Sequence, residues 1–197
     1  LNPNEEWKAR EGGLAVRDRV PEYARTGFAS IPAEDRSGRM RWWGLYTQRR
    51  PGIDGGRTAT LAPEELDDEF FMMRVRIDGG AVSLDQLRVL ADISTRYARG
   101  VADVTDRQNV QFHWIRIEDV PAIWDALEGV GLATVEACGD TPRVIIGSPV
   151  AGIAADEIVD SFVWCEILRQ WSTFHPEFSF LPRKFKFAIN GSRQDRA

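Results

Sequence analysis

The sequence has 197 residues, of which 43% are hydrophobic and 28% are charged, and its formal net charge is −5. This length and composition are typical of a globular chain that holds one full domain and part of another. The negative charge argues against a general nucleic-acid or anionic-membrane surface. No apolar run approaches the ~20 residues that span a bilayer, and no signal peptide opens the chain, so we expect a cytoplasmic protein.

The cysteine and histidine content limits metal chemistry. Cys138 and Cys165 are too few for a disulfide scaffold or a four-thiolate site. His113 and His175 have no spacing that indicates zinc. We therefore predict no metal ligand set within this chain.

Residues 1–65 are rich in Arg, Gly and Pro and show little periodicity, which predicts an irregular N-terminal arm that packs on other domains. Its densest aromatic and basic patch lies in residues 37–50. Basic residues interleaved with Trp can bind anions or single-stranded nucleic acid. Packing of the aromatic side chains on a neighbouring domain explains the patch equally well, and both interpretations stay open.

From Glu69 the pattern becomes regular. Residues 70–77 predict a strand, and Ser83 with Gln86 forms a capping box for a helix that ends at Gly100. The apolar stripe of that helix consists of Leu84, Leu87, Leu90, Ala91 and Ala98.

Two further strands, a helix capped by Asp119 and a last strand over residues 143–148 complete the order strand–helix–strand–strand–helix–strand. That order predicts an α+β fold with a ferredoxin-like split βαβ domain over residues 66–150. A third helix over residues 156–174 would open a second α/β domain within residues 151–197, with Cys165 in its buried stripe.

The stretch from Val104 to Trp114 alternates polar and other side chains, and we predict one strand through it. One face would be a row of hydrogen-bonding groups without a carboxylate: Thr105, Arg107, Asn109, Gln111 and His113. The opposite face would place Phe112 and Trp114 in the core. A solvated sheet face explains the alternation as well as a functional row does.

Four blocks of sequence, in order, resemble one family across nearly the whole chain. They are Arg39-Met-Arg-Trp-Trp-Gly-Leu-Tyr-Thr-Gln-Arg, Phe71-Met-Met-Arg-Val-Arg-Ile-Asp-Gly-Gly, Thr105-Asp-Arg-Gln-Asn-Val-Gln-Phe-His-Trp and Leu181-Pro-Arg-Lys-Phe-Lys. Together they resemble the amino-terminal half of the sirohaem-dependent sulfite and nitrite reductases of the single-chain, ferredoxin-dependent type.

The resemblance implies that a sirohaem lies in a cleft between domains. It implies that Thr105, Arg107, Asn109, Gln111 and His113 contact the carboxylates of the macrocycle, although Asn109 stands where some relatives have Thr. It also implies four catalytic cations over the distal face of the haem iron: Arg74, Arg143, Lys184 and Lys186. Such cations would bind a small oxyanion and stabilise its developing charge.

The resemblance also bears on a Tyr–Cys crosslink and on an iron–sulfur cluster. In some bacterial members the positions that match Tyr46 and Cys138 lie beside the haem and are covalently joined, so a crosslink here stays open. The family binds a 4Fe–4S cluster through four cysteines in its carboxyl-terminal half. We expect those ligands beyond Ala197, and therefore a chain that is an inactive part of a longer enzyme.

The resemblance implies a six-electron reduction of sulfite to sulfide with ferredoxin as donor. Lys-x-Lys at Lys184 and Lys186 favours sulfite, because plant-type nitrite reductases tend to carry Asn at the second position. Reduction of nitrite to ammonia is the alternative. The sequence leaves the electron donor and the oligomeric state open.

Two other classes of function compete with a reductase. An RNA-binding module shares the strand and helix order, but it would need Phe112 and Trp114 to face outward for stacking. A degenerate pseudo-repeat domain that only scaffolds a partner is the other. The four basic residues expected at the catalytic site are all present, which argues against a domain that has lost its catalytic function.

Overall fold

The computed structural model describes residues 3–57, 60–62, 65, 67–182 and 184–195. Within these ranges helices pack on an antiparallel sheet, so the predicted α+β class is confirmed. None of the helices in these ranges is long and apolar enough to cross a bilayer.

The sheet has four strands, all paired antiparallel in the order β1-β2-β4-β3. The strands are β1 (Leu45–Arg49), β2 (Asp67–Val75), β3 (Asp103–Val104) and β4 (Val110–Ile115). The central pair β2 and β4 carries the buried side chains Phe71, Met73 and Phe112. The helices pack against these side chains.

The described α-helices flank this sheet in chain order. They are α1 (Pro3–Arg10), α2 (Val20–Thr26), α3 (Ala33–Arg36), α4 (Leu84–Tyr97), α5 (Val120–Glu128) and α6 (Ser161–Ser172). The capping box predicted for α4 is confirmed, because the Gln86 backbone N–H donates to Ser83 Oγ and the Ser83 N–H donates to Gln86 Oε1. Asp119 takes the N-cap position of α5, but its side chain makes no capping hydrogen bond; Ile123 and Leu127 are fully buried.

The predicted apolar stripe of α4 was partly wrong. Leu84 is 71% exposed and Leu87 is also exposed, whereas Leu90 and Ile93 are buried. Ala91 is exposed as well, whereas Ala98 is buried, so of the five predicted positions only Leu90 and Ala98 face the core.

Helix α6 begins five residues later than predicted, at Ser161, where the Asp160 carboxylate accepts a hydrogen bond from the Phe162 N–H. Cys165 is buried as predicted, and burial raises the pKa of its thiol to about 11. The opposite face of α6 is apolar and exposed, and we call it the outer face of α6: Val163, Trp164, Ile167 and Trp171.

The strand predicted over residues 143–148 was wrong. In that segment only Ile146 forms a bridge, parallel to Ala188, and the segment does not join the sheet. Side chains interrupt the strand ladder, because the Ile145 N–H donates to Asp78 and the Gly147 N–H donates to Gln108, whereas the Ile146 N–H donates to the Phe187 carbonyl. The outer position beside β2 is instead taken by β1, with a single bridge from Ala133 to Arg76.

The single strand predicted from Val104 to Trp114 was also wrong. The Thr105 N–H donates to the Asn109 carbonyl, and Gln108 is left-handed with φ 58°, so residues 105–109 form the turn between β3 and β4. A second irregularity follows at Trp114, with φ 60°, where the register with β2 shifts. Alternation therefore fails at both ends of the predicted strand.

The irregularity at Trp114 changes which aromatic side chains are buried. Phe112 is fully buried, as predicted, and so is Ile115, whereas Trp114 is half-buried against the guanidinium of Arg99 at 4.7 Å. Trp114 was therefore wrongly assigned to the core. A buried Phe112 cannot stack on a base, which removes the feature that the RNA-binding interpretation requires.

The N-terminal residues enter the same core as the sheet. Trp7, Val16 and Met40 are buried within one hydrophobic cluster with the side chains of β2 and β4. A buried ionic group fixes this packing: Arg39 pairs with Asp35 at 2.6 Å, and Tyr23 donates to the same carboxylate at 2.6 Å. Burial and the Asp35 hydrogen bond raise the pKa of Tyr23 to about 12.

Candidate functional site

Arg74 lies on β2 directly opposite Gln111 on β4. One terminal nitrogen donates to Gln111 Oε1 at 2.9 Å, and the other contacts Cys138 Sγ at 3.0 Å. Its Nε is buried without a hydrogen-bond partner among the described residues. Paired strands hold both ends of this contact, so the guanidinium is fixed against the residues that follow α5.

Residues 137–144, which we call the site loop, carry Cys138 and Arg143. Both side chains are buried, with Arg143 only 6% exposed. Gly139 adopts φ +93°, and a Cβ at that position would lie 2.9 Å from the Trp42 ring. The loop can therefore approach the N-terminal segment closely only because residue 139 is glycine.

Arg143 points back onto its own loop. Its terminal nitrogen lies 3.4 Å from the Gly139 carbonyl, and its Nε is buried without a hydrogen-bond partner among the described residues. Arg74 and Arg143 thus contact adjacent residues, Cys138 and Gly139.

Arg107 reaches the same place from the turn between β3 and β4. It donates to the Val144 carbonyl at 2.5 Å, at the end of the site loop. Burial lowers the pKa of Arg107, and the positive charges of Arg143 and Arg74 lower it further, against the opposing effect of Asp106. Arg107 is therefore close enough to Arg143 and Arg74 to be repelled by both.

This arrangement suits an anionic ligand. Arg107 is repelled by Arg74 and Arg143, and each of those two has a buried Nε that lacks a partner within the described ranges, so this group gains stability when a carboxylate or oxyanion binds. Cationic donors of this kind match both the carboxylates of a tetrapyrrole and a small oxyanion. The residues that the chain supplies here thus fit the cofactor and the substrate that the sequence led us to expect.

The five predicted cofactor contacts do not form one row. Arg107 and Gln111 lie next to the site loop and Arg74 as described. Asn109 is buried, and its Oδ1 accepts a hydrogen bond from the Ile77 N–H at 3.1 Å. His113 Nε2 lies 3.0 Å from Asp103 on β3. The predicted row is interrupted because residues 105–109 form a turn instead of a strand. The cofactor roles of these five residues therefore stay predictions.

Thr105 takes part in the turn itself, because its Oγ accepts a hydrogen bond from the Asn109 N–H at 3.2 Å. This contact closes the turn that presents Arg107. Gln108 follows Arg107 and binds both backbone groups of Gly147 with its side-chain amide, at 2.8 and 3.0 Å. The alternation placed Gln108 on the face opposite the polar row, and the sequence offered no signal for its contact with Gly147.

Lys184 and Lys186 lie in an irregular segment and are exposed. The Phe185 carbonyl, between the two lysines, accepts the Arg143 N–H at 3.3 Å. The Phe187 carbonyl, directly after Lys186, accepts the Ile146 N–H at 3.2 Å. The backbone of this lysine segment (residues 184–188) therefore runs beside the end of the site loop. Arg183 lies outside the described residues.

Tyr46 lies on β1, partly buried, with the Arg41 guanidinium 5.7 Å from its ring. Gly44, two residues before it, accepts the Arg74 N–H through its carbonyl, so Tyr46 and Cys138 lie in segments that both adjoin the strand residue Arg74. Cys138 has a free thiol in this structure. Its crosslink to Tyr46 stays a prediction.

The fold and the site define an α+β domain with a cluster of arginines, and comparison with known proteins identifies its class. Residues 63–130 match the nitrite/sulfite reductase ferredoxin-like half domain, and residues 138–197 match the nitrite and sulphite reductase 4Fe-4S domain. The chain belongs to the nitrite/sulfite reductase family, and its predicted ferredoxin-like fold is confirmed.

Individual relatives cover nearly all of this chain. A sulfite reductase (ferredoxin) 2 of Mycolicibacterium paratuberculosis is 54% identical over 97% of the chain and 35% of the relative. A ferredoxin–nitrite reductase of Leptolyngbya laminosa is 38% identical over 99% of the chain and 36% of the relative. The solved NirA protein of Mycobacterium tuberculosis superposes with a TM-score of 0.92 at 52% identity, over 97% of this chain and 35% of that chain. The chain thus spans about a third of the length of these relatives.

Proposed function

We propose that this chain forms the amino-terminal part of an assimilatory sulfite reductase, in which Arg74, Arg143, Lys184 and Lys186 bind sulfite. The observation that carries this proposal is the meeting of Arg74 and Arg143 at Cys138 and Gly139, with Arg107 at the other end of the same loop. The reaction would be the six-electron reduction of sulfite to sulfide, with ferredoxin as the electron donor. Relatives at 53–54% identity that carry the name sulfite reductase (ferredoxin) support it.

Two redox groups belong to this proposal, sirohaem and a 4Fe–4S cluster, and when bound they supply the electrons. Arg107 would neutralise carboxylates of the macrocycle, with Thr105, Asn109, Gln111 and His113 as the further predicted contacts. An arginine suits this role because its planar fork bonds a carboxylate through two parallel hydrogen bonds. The division into residues 1–65, 66–150 and 151–197 is part of the same proposal.

The chain's own residues have separate tasks. Arg74 and Arg143 hold the oxyanion, because their guanidinium groups are fixed by burial and need no reorganisation as negative charge develops. Lys184 and Lys186 supply protons from Nζ, since each oxygen of sulfite leaves as water and needs two protons. Exposure of the two lysines keeps them in contact with solvent, from which they regain protons.

Nitrite is the second candidate substrate. Relatives that carry the name ferredoxin–nitrite reductase are 36–38% identical to the chain, and a cluster of arginines attracts any small anion. The Lys186 side chain favours sulfite, because a second ammonium group matches the larger charge of the sulfite dianion. We therefore expect both anions to be reduced, with sulfite preferred.

The proposal is tested with the enzyme that contains this chain, purified with its redox groups. Its visible spectrum should show a sirohaem band, and a colourless preparation contradicts the proposal. Lys184→Ala and Lys186→Ala should lower turnover with sulfite by about 10²-fold, as expected for loss of a proton donor, while the sirohaem content stays the same. Arg96→Ala on α4, an exposed cation paired with Asp92, is the matched control and should change neither.

A further inference from the structure

Three buried ionic side chains adjoin the site loop, and the proposed function does not use them. Arg76 immediately follows β2, two residues after Arg74, and Asp78 lies two residues further along the chain. Arg76 binds the Asp78 carboxylate at 2.7 Å and lies 3.5 Å from Glu136. The side chains are at most 4% exposed. We call this group the Arg76 clamp.

The clamp holds both ends of the site loop. Glu136 immediately precedes the loop, and its backbone N–H donates to the Trp42 carbonyl at 2.5 Å. Ile145 immediately follows the loop, and its N–H donates to Asp78 Oδ1 at 2.8 Å. Both loop ends therefore face one guanidinium: Asp78 is hydrogen-bonded to it, whereas Glu136 forms only an ion pair with it at 3.5 Å, and Glu136 Oε2 has no hydrogen-bond partner among the described residues.

The conformation of Glu136 indicates that its position is constrained. It has φ 54°, in the left-handed region that L side chains rarely adopt, so the surrounding contacts must offset a local strain. Its Oε1 accepts the Phe174 N–H at 3.0 Å, just after α6. Burial raises the pKa of Glu136, and the Phe174 hydrogen bond and the Arg76 charge only partly oppose this effect.

We propose that Glu136, acting through Arg76 and Asp78, is a positioning residue that sets the distance between Arg74 on the sheet and Arg143 on the site loop. This inference rests on the proposed function for the identity of the anion. The positioning itself is a property of the loop. The spacing of the two guanidinium groups decides which anion both can contact at once, so Glu136 controls affinity for the substrate without touching it.

The first test measures backbone hydrogen exchange in the protein, resolved by peptide. Glu136→Gln keeps an acceptor for the Phe174 N–H and loses the charge that faces Arg76, and Glu136→Ala loses both. We expect exchange in peptides that cover residues 136–146 to accelerate at least tenfold in the Ala variant and less in the Gln variant. Peptides from α4 and β4 should not change.

The matched control is Glu128→Gln, which removes an equivalent charge from the Arg17 ion pair on α5. It should leave exchange around the site loop unchanged. Uniform acceleration across all peptides in the Glu136 variants would show a role in global stability only, and no acceleration at all would show that the loop is held without the clamp. Either result overturns the proposal.

The second test uses the reductase activity of the enzyme that contains this chain. Glu136→Gln should raise the KM for sulfite about tenfold with less than a twofold fall in kcat, because the cations remain present but are misplaced. An equal fall in kcat with unchanged KM overturns the positioning role. The exchange result does not depend on the substrate, so a failure of the sulfite assignment is distinguishable from a failure of the clamp.

Discussion

The four cations of the candidate site are held in two different ways. Arg74 and Arg143 come from β2 and from a loop joined to it, and hydrogen bonds to Gln111, Cys138 and Gly139 fix their guanidinium groups. Lys184 and Lys186 come from a segment whose backbone alone is anchored, at the Arg143 and Ile146 N–H groups. Under the proposed function, the arginines would therefore supply a preformed anion site, whereas the exposed lysines would supply proton donors beside it.

The largest expected effect comes from the rigid half of the site. Arg143→Ala should lower kcat/KM for sulfite by about 10²–10³-fold, because a fixed donor to the developing charge is lost. Arg143→Lys should restore only part of this loss, since an ammonium group lacks the planar fork. Steady-state kinetics on the enzyme that contains this chain measures both. Full activity in the lysine variant would show that charge alone suffices there.

The second prediction tests the close approach that fixes the site loop. Gly139→Ala would add a Cβ 2.9 Å from the Trp42 ring at φ +93°, and it should destabilise the protein by about 2–4 kcal/mol in urea unfolding. Gly131→Ala is the control, because it has φ +72° with no described atom within 4 Å of the added Cβ. It should cost only about 1–2 kcal/mol. Equal losses of stability in the two variants would mean that the Trp42 side chain moves to accommodate the added methyl group.

The exposed half of the site is tested by Lys186→Asn. This change should lower the ratio of sulfite to nitrite kcat/KM about tenfold, because one ammonium group no longer offsets the second charge of sulfite. Competition kinetics with both anions measures the ratio. An unchanged ratio would place substrate choice with the arginines.

The smallest effect is a pH dependence from Glu136. Its pKa is raised above 4.5 in the folded state by burial, with Arg76 and Asp78 as the charges that face it. Between pH 4.5 and the raised pKa the folded state holds a proton that the unfolded chain has lost. Stability relative to Glu136→Gln is therefore greatest below pH 4.5 and falls as pH rises, by at most about 1.4 kcal/mol per unit. Urea unfolding across pH 4–8 measures this, and parallel curves for the two proteins contradict it.

The sequence predicted well what depends on local pattern. The capping box at Ser83, the buried stripe residue Cys165 and the strand containing Arg74 all followed from spacing alone. Alternation in residues 104–114 was misleading, because two left-handed residues, Gln108 and Trp114, interrupt it. A period of two cannot reveal such residues when neither is glycine.

The site itself depended on contacts between distant parts of the chain. The strand assigned to residues 143–148 was wrong because the Ile145 and Gly147 N–H groups bond to the side chains of Asp78 and Gln108, 67 and 39 residues away in sequence. The Arg76 clamp was missed for the same reason, since Glu136 follows no periodic pattern. Resemblance supplied the identities of Arg74 and Arg143, and the fold supplied their distances to Cys138 and Gly139.

The outer face of α6 divides the indole side chains into two spectroscopic groups. Trp164 and Trp171 are 51% and 56% exposed, whereas Trp7, Trp42, Trp43 and Trp124 are buried. The seventh indole, Trp114, is half-buried and belongs to neither group. Acrylamide should therefore quench a red-edge fluorescence component from α6 while the blue component from the core persists. Whatever comes to lie against this helix will be visible as a loss of quenching, without any added label.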